Sequence, residues 1–90
     1  DSAGVLVRGG IEAETRQVFA NLEAVLQEAG CELSDVIKVN VWLDDPRDFG
    51  LFNTTYAEIF TNDAPARSTV RSEMMIDVKI EADCIAYRPL

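Results

Sequence analysis

Histidine is absent from this chain. That removes the side chain most often used as a general base near neutral pH, and with it the commonest zinc ligand. Cysteine is scarce. Cys31 and Cys84 stand far apart in no metal or redox spacing, and two thiols cannot close a zinc site. Two free, largely buried thiols in a reducing compartment fit this pattern better than one disulfide. Positive charge is short as well: eight Lys and Arg stand against sixteen Asp and Glu, a net charge of −8. Such a field repels phosphate backbones. Lys38, Lys79 and the arginines form no stripe, so nucleic acid and anionic membranes are disfavoured as general partners. One local positive site for a small anion stays allowed. No apolar run approaches the ~20 residues that span a bilayer. No basic-then-apolar leader precedes the chain, which starts on Asp1; the expectation is a cytoplasmic protein and a stretch that begins inside a longer one. Without a leader, the glycosylation pattern Asn53-Thr54-Thr55 carries little weight.

What is present reads as one globular domain, residues 1–90, with 48% apolar residues and mean hydropathy near zero. A domain of this size buries only about 60% of its unfolded surface, so association between subunits is expected. Val5-Leu6-Val7 is at most a strand stub in an irregular lead-in that ends at Gly10. Ile11, Thr15, Val18, Phe19, Leu22, Val25, Leu26 and Ala29 then recur at steps of three and four, one face of a helix. Glu12 and Glu14 suit its first turn, and Gly30 suits a left-handed cap at its end.

Ser34-Asp35 gives a turn, and Val36 to Leu43 a strand. Ile37, Val39, Val41 and Leu43 share the face expected to meet the helix; Lys38, Asn40 and Trp42 share the other. Trp42 reads first as an anchor at a subunit contact or sheet edge, and secondly as a substrate wall. A second helix starts with Asp45 as N-cap, Pro46 in the first position and Asp48 in the third, and runs to about Phe60. Phe49, Phe52, Tyr56, Ile59 and Phe60 form its apolar stripe, and residues 61–65 a loop. In the next strand, Arg67, Thr69, Arg71 and Glu73 alternate with Ala66, Ser68, Val70, Ser72 and Met74. Met75-Ile76-Asp77 turns the chain into a last strand. There Val78, Ile80, Ala82, Cys84 and Ala86 make an apolar face, and Lys79, Glu81, Asp83, Ile85 and Tyr87 the other.

The order helix, strand, helix, strand, strand predicts an α+β layer, two helices on one face of a mixed sheet. Three strands are few to cover two such helices. Further strands are expected upstream of Asp1 or from neighbouring subunits. Taken alone, Arg67 and Glu81 are an ordinary ion pair on neighbouring strands, with Asp83 and Glu73 as other partners for the arginine. Such exposed pairs contribute about 0.2–1 kcal/mol.

The whole chain resembles the RidA/YjgF family, the imine/enamine deaminases also labelled endoribonuclease L-PSP. The matching pieces run in order: EAETRQVFANLEAVLQEAG at 12–30, DVIKVNVWLDDPRDF at 35–49, FNTTYAEIF at 52–60, PARSTV at 65–70 and DVKIEADCIA at 77–86. The resemblance implies a chorismate-mutase-like fold and a homotrimer with sheets inward, helices outside and clefts between subunits. It implies hydrolysis of 2-imino or 2-enamino acids to 2-keto acids and ammonia, without cofactor or metal. Arg67 matches the family's arginine for the substrate carboxylate, and Glu81 the carboxylate that positions the attacking water. Thr69, Asn53 and Tyr56 match further cleft positions. Thr69 replaces a cysteine found in many members. The family's usual opening strands, with Gly-Pro-Tyr-type and Ser-Gly-Gln-type segments, have no counterpart in these 90 residues. A trimer that binds 2-keto acids without turnover is the alternative reading.

Overall fold

The computed structural model describes residues 10–62 and 64–89. The expected strand stub at Val5-Leu6-Val7 lies outside them. The first helix, α1 (Ile11–Glu28), buries Ile11, Thr15, Phe19 and Leu26. Val25, expected on this stripe, is 64% exposed. Glu12 and Glu14 occupy the first turn, where the helix dipole favours negative charge. At the other end Cys31 N–H donates to the Leu26 carbonyl at 2.8 Å and Gly30 N–H to that of Gln27 at 3.1 Å. These two bonds form a Schellman cap, with Gly30 at φ 80°.

A 3-10 turn at Leu33–Asp35 leads into β1 (Val36–Leu43). Pro46–Asp48 form a second 3-10 turn, followed by α2 (Phe49–Ile59), β2 (Ala66–Arg71) and β3 (Ile80–Ala86). The sheet order is β2-β1-β3, with β1 parallel to β2 and antiparallel to β3. The α2 helix is therefore the crossover of a β-α-β unit. The α1 helix packs against α2 and β3. Val39, Val41 and Leu43 point from the central strand into the core. There Phe19 meets the edges of Tyr56 and Phe60, each at 5.7 Å between centroids. Glu14 is buried and accepts the Lys79 N–H at 2.8 Å, which ties the start of α1 to the approach to β3.

Three expectations are corrected. A bulge between Val36 and Lys38 inserts Ile37 against β3, so Val36 is buried and Ile37 is 55% exposed. The second helix opens as a 3-10 turn. Asp45 caps that turn through the Arg47 N–H, and the Asp48 side chain caps nothing. The Arg47 guanidinium and N–H together hold the Asp45 carboxyl at about 2, below its usual 3.8. The two last strands are also shorter than their patterns. β2 stops at Arg71 because Ser72 N–H donates to Leu43, the last residue of β1, at 2.9 Å, and no strand continues beside it.

One face of the sheet carries the helices. The other carries Lys38, Asn40 and Trp42 in the middle, with Val70 and Ile85 about half exposed on either side.

Gly30 has no atom within 4 Å of where a Cβ would stand, so only its left-handed backbone demands glycine. Gly30→Ala is expected to cost about 1 kcal/mol. Urea unfolding should show a lower midpoint at unchanged slope.

Candidate functional site

The site starts from strand register. Arg67 pairs with Val39 and Thr69 with Val41 across the parallel ladder. Neighbouring residues in a sheet share a face. Because Val39 and Val41 point at the helices, Arg67 and Thr69 do too. Above them α2 presents Phe49, Phe52 and Tyr56, spaced three and then four residues apart on one helix face. The Arg67 Cζ lies 4.7 Å from the Tyr56 ring centroid, 5.2 Å from that of Phe52 and 5.9 Å from that of Phe49. A guanidinium at such distances is held by the negative faces of the rings. The ion pairs with Glu81, Asp83 or Glu73 do not form: among the described residues no carboxylate pairs with Arg67. Its planar fork is seated on carbon, and its donors remain for another partner.

Polar atoms without partners collect nearby. Tyr56 Oη, Asn53 Oδ1 and Thr69 Oγ1 are buried and make no hydrogen bond. Asn53 lies three residues before Tyr56 on α2, and Thr69 two residues after Arg67 on β2. Leaving one such group unsatisfied costs about 1–3 kcal/mol. Burial pushes the Tyr56 phenol above its ordinary value, while the positive charge of Arg67 pulls it back down. Four expected site residues, Arg67, Thr69, Asn53 and Tyr56, thus belong to the β2–α2 layer. Tyr56 lies under the guanidinium, 6% exposed. Phe49 and Phe52 were expected only as core. The 49-52-56 spacing of aromatics on a helix that crosses over to an arginine-bearing strand is the signal that marks them.

Glu81 lies elsewhere. It pairs with Trp42 across the β1–β3 ladder and shares the open face of the sheet. There it lines a groove of about 520 Å³ with Trp42, Glu73, Met74, Ile76 and Asp83. The strands β2 and β3 flank β1, so Arg67 and Glu81 are two strand spacings apart, ~10 Å, before the opposite directions of their side chains are counted. Within one chain they do not meet. On the same open face Asn40 Nδ2 donates to Asp83 Oδ1 at 3.0 Å, and Lys38 Nζ to Ser68 Oγ at 2.7 Å. Trp42 is half-buried beside them. Cys31 and Cys84 are free and only partly buried; burial, with Asp83 next to it, pushes the Cys84 thiol up.

A three-stranded mixed sheet with two helices on one face, and an arginine fork between its edge strand and the crossover helix, defines a YjgF/L-PSP-type fold. The YjgF gene product of Escherichia coli superposes with a TM-score of 0.90 at 35% identity, covering 97% of this chain and 72% of that one. The model of the endoribonuclease L-PSP family matches residues 1–88, and the chain belongs to that family. A RutC family protein of Pyrococcus horikoshii is 48% identical over 86 residues, 94% of this chain and 68% of the relative. The rat protein named 2-iminobutanoate/2-iminopropanoate deaminase is 37% identical over 88 residues, 97% of this chain and 64% of its own length.

The charge on Arg67 favours the Tyr56 phenolate, so removing it should raise the Tyr56 pKa further. Alkaline titration of phenolate absorbance in wild type and Arg67→Met is expected to show the buried phenol ionising later in the variant.

Proposed function

We propose that this protein hydrolyses 2-imino acids to 2-keto acids and ammonia, with Arg67 as the carboxylate anchor. The observation that carries this is the Arg67 fork on its aromatic seat, which pairs with no carboxylate among the described residues. Bidentate pairing of a guanidinium with a carboxylate is short and strong, and here nothing has to be displaced first. The name of the rat relative supports the substrate class. In the reaction the oxygen of water attacks the imine carbon, and the C=N π pair moves to nitrogen, which takes up a proton. Glu81 receives the proton that the water releases and hands it on to that nitrogen, which returns the carboxylate to its starting form. The carbinolamine then loses ammonia as its C–N bond breaks and the hydroxyl becomes the keto C=O. An imine carbon is already electrophilic, so holding substrate and water together supplies much of the effect.

This assignment requires Glu81 from a second copy, since the two side chains occupy opposite faces of one sheet. The half-exposed Val70 and Ile85 around Trp42 support contact between sheets of different copies, in keeping with a homotrimer. The unpartnered Thr69 Oγ1 and Asn53 Oδ1 are assigned to the same cleft on this reading. The separation of Arg67 from Glu81 also favours one second reading. The carboxylate seat is complete in a single chain, so a protein that binds 2-keto acids without turnover needs nothing from Glu81. Ribonuclease chemistry, which the family's name suggests, sits poorly with a net charge of −8.

Freshly generated 2-iminobutanoate is the test substrate. Loss of a charged hydrogen-bonded pair is worth about 1.5–3 kcal/mol, so Arg67→Ala should lower kcat/KM by about 10- to 100-fold. Mixing impaired Arg67→Ala with impaired Glu81→Gln, after dissociation and reassembly, should raise activity above that of either parent through sites that draw both intact residues from different copies. Wild-type protein that binds 2-oxobutanoate but does not accelerate keto-acid release supports the non-catalytic reading. Recovery absent from mixed assemblies, with both parents folded, refutes the cross-copy site.

A further inference from the structure

We propose that Tyr56 sets the affinity of Arg67 for its carboxylate ligand by holding the guanidinium in place from beneath, as a positioning residue rather than a ligand contact. This rests on the carboxylate-anchor reading of Arg67. An arginine has a long side chain with many rotamers, and ordering it costs conformational entropy. Proteins usually do so with an acid, which then competes with any incoming anion. Here three rings do it instead, and the Tyr56 ring, at 4.7 Å, stands nearest. The seat orders the fork while leaving its N–H groups unused.

The Tyr56 ring is itself fixed from behind. Phe19 of α1 meets it edge-on at 5.7 Å and 77°, Phe60 lies at 4.9 Å, and Phe52 at 5.7 Å. Phe19 and Phe60 thus pack behind the ring nearest the guanidinium, and neither is among the three rings on which Arg67 is seated. The hydroxyl adds nothing to this. It is buried and without a hydrogen-bond partner. A ligand contact would need that hydroxyl; a seat needs only the ring.

The two roles separate by chemistry. Calorimetric titration with 2-oxobutanoate, a stable keto acid, is run on wild type, Tyr56→Leu, Tyr56→Phe, Phe19→Leu and Arg67→Ala. Tyr56→Leu is expected to weaken binding on the order of 5- to 30-fold, the range for loss of a partly desolvated cation–π contact. With imine substrate it should raise KM much more than it lowers kcat. Returning a ring in Tyr56→Phe should restore the affinity lost in Tyr56→Leu. Phe19→Leu should lower Tm while leaving the Kd within about two-fold. If Tyr56→Leu does not fold, Phe52→Leu, whose ring lies 5.2 Å from the same cation, takes its place with a smaller expected loss. Equal weakening in Tyr56→Phe and Tyr56→Leu would overturn the proposal and make the hydroxyl a ligand contact. Unchanged affinity in Tyr56→Leu, or in Phe52→Leu where it stands in, would overturn it as well. Wild-type affinity in Arg67→Ala would instead sink the carboxylate-anchor reading beneath it.

Discussion

Val39 and Arg67 stand opposite one another on parallel strands, and that pairing decides which way the site looks. Val39 is fully buried because it is the middle of the central strand. Its neighbour in the ladder must then point toward the helices as well, although it is an arginine. The connection between two parallel strands has to cross over the sheet, and here the crossover is α2. The helix that covers β2 is thus the one the chain makes on its way there. Its inner face meets a charge where a core would otherwise have an aliphatic side chain. Phe49, Phe52 and Tyr56 answer that demand, since an aromatic ring offers both apolar area and a negative face.

This arrangement matters in so acidic a protein. Sixteen carboxylates stand against eight cations, and three arginines outside the site pair with them. Arg16 bridges Glu12 and Glu58, Arg47 clamps Asp45, and Arg88 reaches Asp35. Arg67 avoids this by position. The carboxylates of β3 lie on the opposite face, and the side of α2 it meets carries rings. The sheet acts as a partition between the positive site and the carboxylates of β3.

The architecture was largely legible from periodicity. Both helices, all three strands, the glycine cap after α1 and the two faces of β3 follow from spacing and cap residues. The errors have local causes. One bulge reversed Val36 and Ile37, because a period of two cannot anticipate an inserted residue. The ends of β2 depended on where β1 stops, a tertiary fact. The pattern of β2 listed Arg67, Thr69 and Arg71 as one face without saying whether it met helix or solvent, since an arginine-bearing face is usually wet. Only pairing with Val39 settles that. For the same reason a contact between Arg67 and Glu81 stayed open from sequence. Their strands are adjacent along the chain, yet β1 lies between them in the sheet.

The partition also constrains any chemistry that uses both residues. A carboxylate held at Arg67 faces α2, whereas a proton acceptor at Glu81 faces away through the sheet. No rotamer change carries either side chain across a hydrogen-bonded backbone layer. Two chains, placed so that the open face of one meets the β2 edge of another, remove the obstacle without disturbing either core. The apolar side chains left on the open face give such a contact its driving force. On the proposed function, separation of the two groups within one chain has a chemical consequence: the chain orders its arginine apart from the carboxylates of β3, and a second copy brings up the carboxylate that the reaction uses.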